Sequence, residues 1–381
     1  MLSLQLLDEN HPGLGTLNRL FMAAELLHLS KDSWAGLRLG LIEELEAHLH
    51  PQAQMQIIDA LRRQVDIQLI MTSHSPNLAS KVKLENIILC SGRYAFPLGA
   101  GHTKLSPTDY PFLERFLDVT KANLFFAKGV VLVEGLSEEL IVPALAKLLF
   151  RLGVIDKDFV ESNVSVVAIH SIAFSRYANI FKRRHLPEMP INVSVITDLD
   201  FRPEEYAAKY RISQRDRMRH KIVDDSLLTM HIEQKLAKIN FQNVRGFVSR
   251  HWTLEYCIAL HPRLRWILFN AILCAIEEER ADSYAGTNEA KMGIRQLDEK
   301  KIRNQWEKFV AGKTDSQIAF DLVDHYITGG RRLSKAVVAQ HFSMLLPLSG
   351  EIVTNDLLFE GNSIQYIVDA ILYAYGTPST D

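Results

Sequence analysis

The sequence predicts an α/β chain of two consecutive parallel-sheet units followed by a mostly helical region. Three observations lead there. Short apolar runs alternate with helical stretches in both halves, the β-α-β pattern of a parallel sheet. Several of those runs end abruptly in carboxylates, where a parallel sheet gathers its functional loops. The composition is that of a folded protein: 381 residues, 47% hydrophobic and 23% charged, enough for two or three domains and unlike a disordered or fibrous chain.

In the first half, Leu37 to Ile42 and Ile67 to Met71 read as strands, with a helical pattern from Pro51 to Val65 between them. A third short run spans Asn86 to Cys90, and Phe96–Thr103, with Pro97, Gly99 and Gly101, reads as turns and linker. A second alternation begins at Lys128. GVVLVEG (129–135) is a strand ending in an acid and a glycine. Ser137 to Leu152 follows as an amphipathic helix, with Ser137 as its N-cap and Pro143 early enough to be tolerated or to kink it. Val164–Ile169 is the next strand, Ala173–His185 is helical, and Val193–Thr197 is a strand ending in Asp198-Leu199-Asp200. From about residue 203 the pattern is helical and more polar, and Thr377–Asp381 reads as a frayed end.

Charge and cysteine content exclude further classes. Lys+Arg total 43 against 45 for Asp+Glu, a net charge of -2, so no global field draws the chain onto nucleic acid and any DNA contact needs locally clustered bases. Cys90, Cys257 and Cys274 form no CxxC, which argues against a disulfide framework or thiolate zinc site and suits a reducing cytoplasm. No apolar stretch has transmembrane length and MLSLQLLDENHPG has no signal-peptide character, so no membrane partner is expected.

The chemistry of the first half sits at strand ends. The run Leu39–Ile42 delivers Glu43 and Glu44, and QLIMT leads into Ser73-His74-Ser75-Pro76. Nucleotide hydrolysis needs one carboxylate for magnesium or its waters and another to polarise the attacking water, and a histidine there can reach a γ-phosphate. These residues resemble the ABC-type ATPases: Walker B at Ile42–Glu44, D-loop at Glu46–Pro51, switch histidine at His74, and a degenerate signature at Gly13-Leu-Gly15-Thr-Leu-Asn18. No GxxxxGK[ST] occurs in the sequence, so the backbone nest and lysine for the β/γ-phosphates are missing. Residues 1–105 are therefore expected to be the C-terminal part of an ABC-type ATPase domain, either a fragment or one without autonomous ATP binding. ATP is a cofactor only if other sequence supplies the loop.

In the second half, the loops after adjacent parallel strands meet at one edge, so Glu134 and the Asp198/Asp200 pair can converge although 64 positions separate Glu134 from Asp198. Glu138 lies in the first turn of the following helix, over the same edge. Four carboxylates in one place repel unless a divalent cation is present, and all-oxygen ligands favour Mg²⁺ or Mn²⁺ over zinc. The glutamate after the first strand and the DxD after the third resemble a TOPRIM domain. With an ATPase segment before it, the chain resembles the OLD (overcoming lysogenization defect) nuclease family over roughly residues 10–345.

That resemblance extends to Glu255, in Trp252-Thr-Leu-Glu255-Tyr256, which is similar to the TLEY motif with its additional metal-ligating glutamate, and to Lys335, similar to the late lysine that faces the transition-state phosphate. Read without the family, Glu255 is a carboxylate at a helix start, favoured by the dipole, and Lys335 a solvated helix-start lysine. The resemblance implies a Rossmann-like TOPRIM nuclease domain over 126–350 with a helical insertion, a linker at 106–125 and a C-terminal tail or helix at 351–381. It implies two-metal cleavage of DNA, with Asp198, Asp200 and Glu134 on one ion, Glu134, Glu138 and Glu255 on the other, and Lys335 at the phosphate. It further implies a setting in phage defence or DNA processing, a homodimer or higher oligomer, and partner proteins of a defence system.

Lys209, Arg211, Arg215, Arg217, Arg219 and Lys221, with only Asp216 opposing them, are a candidate DNA path, and Lys182, Arg183 and Arg184 form a smaller cluster. The plain reading of such a run is a solvated helix face. His220, His231 and His251 lack metal-ligand spacing, and Phe125, Phe126 and Tyr256 read as core. Two rival functions stand beside the nuclease: a non-catalytic assembly or regulatory subunit dimerising through the truncated ATPase half, and a primase- or topoisomerase-like TOPRIM enzyme.

Overall fold

A computed structural model describes residues 13–29, 37–63, 67–170, 173–283, 299–349 and 362–376. The frayed end expected at Thr377–Asp381 lies outside them. The chain is mixed α/β and divides into two compact units, Met1–Phe126 and Ala127–Asp381.

In the first unit, α1 (Leu14–Leu29) is followed by β1 (Leu39–Ile42), α2 (Pro51–Leu61) and β2 (Gln68–Met71), and the two strands pair in parallel from Leu39↔Gln68 to Ile42↔Met71. α2 starts where it does because Pro51 occupies its first turn, where a missing N–H goes unnoticed, and the His50 ring accepts the Gln52 N–H at 3.4 Å. Its Gln54, Ile58 and Leu61 share a buried face, and Leu45, Ile58, Leu61 and Leu78 make the local core.

Two expectations for this half are corrected. The stretch read as turns from Phe96 is entered by a strand: β3 (Ile88–Ser91) and β4 (Tyr94–Pro97) form an antiparallel hairpin around Gly92, whose φ of +57° suits the tight turn. Residues 106–125, expected as linker, fold as helix. After the short α3 (Pro76–Ala79) come α4 (Asp109–Phe116) and α5 (Val119–Ala122), both part of the first unit. Tyr110, Leu113 and Leu117 repeat at helical spacing and are buried, and the Tyr110 hydroxyl donates to the Leu98 carbonyl at 2.8 Å. Pro111 falls in the first turn of α4, where proline is tolerated.

The second unit is built on a four-stranded, all-parallel sheet in the order β6-β5-β7-β8: β5 (Gly129–Val133), β6 (Val164–Ala168), β7 (Asn192–Thr197) and β8 (Val244–Val248). Every residue of β5 is buried, as expected for a central parallel strand covered on both faces. α6 (Leu136–Arg151) and α7 (Phe174–Phe181) are crossover helices, and α6 runs on through Pro143. β8 was not anticipated, because Arg245 and Gly246 interrupt its apolar run and hide a short edge strand within a region read as helical.

Helices follow: α8 (Glu204–Tyr210), α9 (Asp225–Ile239), α10 (Leu254–Leu260), α11 (Leu264–Ser283), α12 (Glu299–Val310), α13 (Asp315–Val323) and α14 (Lys335–Leu345). α6, α11 and α14 pack together in the main core, with Leu145, Leu149, Ile272 and Phe342 buried. Within the region expected as a C-terminal tail or helix, α15 (Gln365–Tyr375) lies directly on the sheet. Ser194 of β7 donates to the Ala370 carbonyl at 2.7 Å, and Asn192 donates to that of Tyr373 at 2.9 Å. A Cβ on Gly129 would stand 2.0 Å from the Ala374 carbonyl oxygen, so this first residue of β5 has room only for glycine.

Candidate active site

β5 and β7 are neighbours, so the residues that follow them meet at the carboxyl edge of the sheet. Thr197, the last residue of β7, donates its hydroxyl to Glu134 Oε1, and the Asp198 N–H donates to the same oxygen at 3.2 Å. Glu138, in the first turn of α6, accepts the Gly135 N–H at 3.1 Å and so caps the helix that follows β5. Asp198 Oδ2 accepts the Leu254 N–H at 3.1 Å, one of the donors that the start of α10 leaves free. The next residue, Glu255, is only 3% exposed, and Lys335 at the first position of α14 donates to its Oε2 at 3.0 Å. Elements scattered over the whole second unit thus bring Glu134, Glu138, Asp198, Glu255 and Lys335 together.

The electrostatics follow from burial first and crowding second. Burial, with Glu255 and Glu134 nearby, pushes the Glu138 carboxyl up to about 7 against the partial relief of Lys335. Burial and the surrounding Glu134, Glu138, Glu255 and Asp200 hold Asp198 well above the usual carboxylate range. Lys335 is pulled down by burial, yet the adjacent Glu255, with Asp198 and Glu138, keeps it above the ordinary lysine value.

Asp200 stands somewhat apart. It is exposed, its backbone is left-handed with φ of 59°, and its carboxylate lies 3.5 Å from Lys221. Each of the other carboxylates is engaged by a protein donor, and among the described residues no three His, Cys, Asp or Glu side chains are arranged to hold one ion as they stand. The donor chemistry nevertheless fits a hard divalent cation. The set is all carboxylate oxygen, and its crowding adds to the rise at Glu138 and Asp198, a repulsion that such an ion relieves.

One residue of the site went unread in the sequence. Lys235, on α9, donates to Thr197 Oγ1 at 2.8 Å and to the Asp198 carbonyl at 2.5 Å. Burial draws its ammonium below the usual lysine range, with Glu134, Asp198 and Asp200 opposing.

In the first unit, Glu43, Glu44 and His74 are all exposed at one end of the β1–β2 pair. The Glu44 N–H donates to Thr72 Oγ1 at 3.2 Å, and the His74 N–H donates to Glu46 Oε1 at 2.6 Å, tying the two strand ends together.

The basic stretch is less bare than its sequence implies, and the reading of Asp216 as its sole opponent is corrected. Lys209 pairs with Asp324 at 2.7 Å, Arg217 with Glu204, and Lys221 with Asp200. Arg211, Arg215 and Arg219 are exposed, and Arg211 ends α8 in the left-handed region with φ of 50°. The second cluster is largely not a surface: Lys182 and Arg183 are buried, and only Arg184 is exposed.

These carboxylates gather at the carboxyl edge of a Rossmann-like parallel sheet. Residues 125–200 match the TOPRIM domain of overcoming lysogenization defect (OLD) protein-like chains, and residues 5–79 match an AAA ATPase domain. The chain thus carries an ATPase segment followed by an OLD-like TOPRIM domain, the arrangement expected of the OLD family. Among solved structures it is similar to the C-terminal region of the Xanthomonas campestris pv. campestris OLD protein, at 19% identity and a TM-score of 0.34, covering 66% of this chain and 94% of that one. It is also similar to the C-terminal region of the Burkholderia pseudomallei OLD protein, at 18% identity and a TM-score of 0.30, covering 65% and 99%. No curated protein matches. No helix among the described residues is long and apolar enough to cross a membrane.

Proposed function

We propose that this chain is a divalent-metal-dependent DNA endonuclease of the OLD type, acting in phage defence or DNA processing and coupled to an ATPase. The observation that carries this reading is the convergence of Glu134, Glu138, Asp198 and Glu255 at one sheet edge, where burial and the neighbouring carboxylates raise the proton affinity of Glu138 and Asp198. Phosphodiester hydrolysis uses divalent ions to generate hydroxide and to stabilise the leaving oxygen. In this chain Glu134, Asp198 and Asp200 would hold one Mg²⁺ or Mn²⁺, and Glu134, Glu138 and Glu255 a second. Lys335, beside Glu255, would offset phosphate charge. DNA, a second copy of the chain and defence-system proteins are the proposed partners.

The test is nicking of supercoiled plasmid. The protein should nick with Mg²⁺ or Mn²⁺ and stop with EDTA. Asp198→Ala should abolish nicking while barely lowering the melting temperature, because it also relieves repulsion. Undiminished cleavage by that variant would overturn the site.

A further inference from the structure

We propose that Lys235 is a positioning residue of the carboxylate site, acting on Glu134 through the hydroxyl of Thr197. The inference rests on the metal-dependent nuclease reading and adds to it a residue outside the carboxylate set. A threonine hydroxyl has one proton to give and lone pairs to receive, whereas an ammonium only donates. Lys235 Nζ lies 2.8 Å from Thr197 Oγ1, so the hydroxyl receives there, and its single proton goes to Glu134 Oε1.

That proton has one competing acceptor in the structure, the Asp198 carbonyl at 3.4 Å from the same hydroxyl. Lys235 occupies it as well, at 2.5 Å. One ammonium thereby occupies a lone pair of the hydroxyl and competes for its alternative acceptor, which favours Glu134 as the acceptor. The lysine is held from behind: α9 packs along β8, the strand that neighbours β7. Thr197 and the Asp198 amide then grip one oxygen of Glu134 and leave the other for the site.

This arrangement makes a counter-intuitive prediction. A lysine that merely neutralised carboxylates would compete with a metal ion, and its removal would tighten binding. A lysine that orients a ligand would weaken binding when removed, as partners of metal ligands typically do by about 10–100-fold. The experiment is calorimetric titration of the full chain with Mn²⁺, without DNA. Lys235→Met should weaken Mn²⁺ binding about tenfold despite losing a positive charge. Thr197→Val should do the same, the double variant should be no worse than either single one, and Thr197→Ser should retain wild-type affinity.

Melting curves accompany each titration, and Thr197→Val with its Thr197→Ser rescue carries the test should Lys235→Met fold poorly. Tighter Mn²⁺ binding by Lys235→Met, unchanged affinity, or additive losses in the double variant would overturn the inference while leaving the nuclease reading in place. A wild-type chain that binds no Mn²⁺ would overturn both.

Discussion

Replacing Glu138 by glutamine isolates the electrostatic load on the site. Glutamine keeps an oxygen to accept the Gly135 N–H and removes the charge. The Glu138 carboxyl titrates at about 7 in the fold against the usual 4.5, with burial as the leading cause. At about 1.4 kcal/mol per pH unit, that rise corresponds to roughly 3 kcal/mol. The folded state binds this proton more tightly than the unfolded chain does. The stabilisation is therefore complete below pH 4.5, declines as pH rises through the interval up to about 7, and is gone above it. In the metal-free protein at pH 8, Glu138 is ionised against its surroundings, so Glu138→Gln should be the more stable by up to roughly 3 kcal/mol. For a unit of this size that is a rise in melting temperature on the order of 6–12 °C. The assay is thermal denaturation in EDTA from pH 4.5 to 8, the two proteins converging at the acidic end and separating toward pH 8. If Glu138→Gln melted at or below the wild-type temperature at pH 8, the buried, crowded setting of Glu138 would be wrong.

Four further outcomes are expected. Lys335→Met removes the partner of the buried Glu255 and should destabilise the metal-free protein by about 3 kcal/mol at most, read as a lower melting temperature, with Mn²⁺ recovering part of the loss; an unchanged melting point would show that the pair adds nothing. Reversing the exposed Arg215 and Arg219 to Glu should flatten the slope of log K against log salt for duplex DNA by roughly two units and weaken all sequences alike; an unaltered slope would return this stretch to a solvated surface. With no GxxxxGK[ST] in its sequence, this chain alone should bind ATP very weakly, and micromolar affinity by calorimetry would refute that reading of its first half. Gly129→Val should unfold or strongly destabilise the second unit, as read by circular dichroism, because the valine Cβ collides with the Ala374 carbonyl.

The parts of the site that the sequence makes legible share one property: they stand at the ends of recognisable strands. Glu134 follows an unbroken apolar run and Asp198 a strand rich in Val and Ile, so their convergence needs only the rule that parallel strands present their carboxyl ends together. Glu255 and Lys335 carry no such mark, and only the resemblance to a family singled them out. Lys235 carries none at all. It is one lysine on a polar helix, and its reach to Thr197 depends on α9 packing along β8, a strand hidden by Arg245 and Gly246. The basic stretch misled for a related reason. Its acidic partner Asp324 lies 115 positions from Lys209, so local charge counting shows the cations and misses what neutralises one of them.

The seat of α15 on the sheet sets an order of events during synthesis. β5 is the first strand of its unit to leave the ribosome, and β7 follows some sixty residues later. The hydrogen-bond acceptors for Ser194 and Asn192 belong to Ala370 and Tyr373, 176 and 181 positions further along. Until that helix emerges, the face of β5 and β7 that it will cover stays open to water and to other nascent chains. The acidic edge is drawn from residues 134 to 335, so all its members exist before this cover does, yet they rest on a sheet whose packing is incomplete. A ribosome halted between α14 and α15 would thus hold every carboxylate of the site on an unfinished foundation. Long-range closure of this kind is slow, and it leaves the acidic edge on an unfinished sheet until α15 has been made.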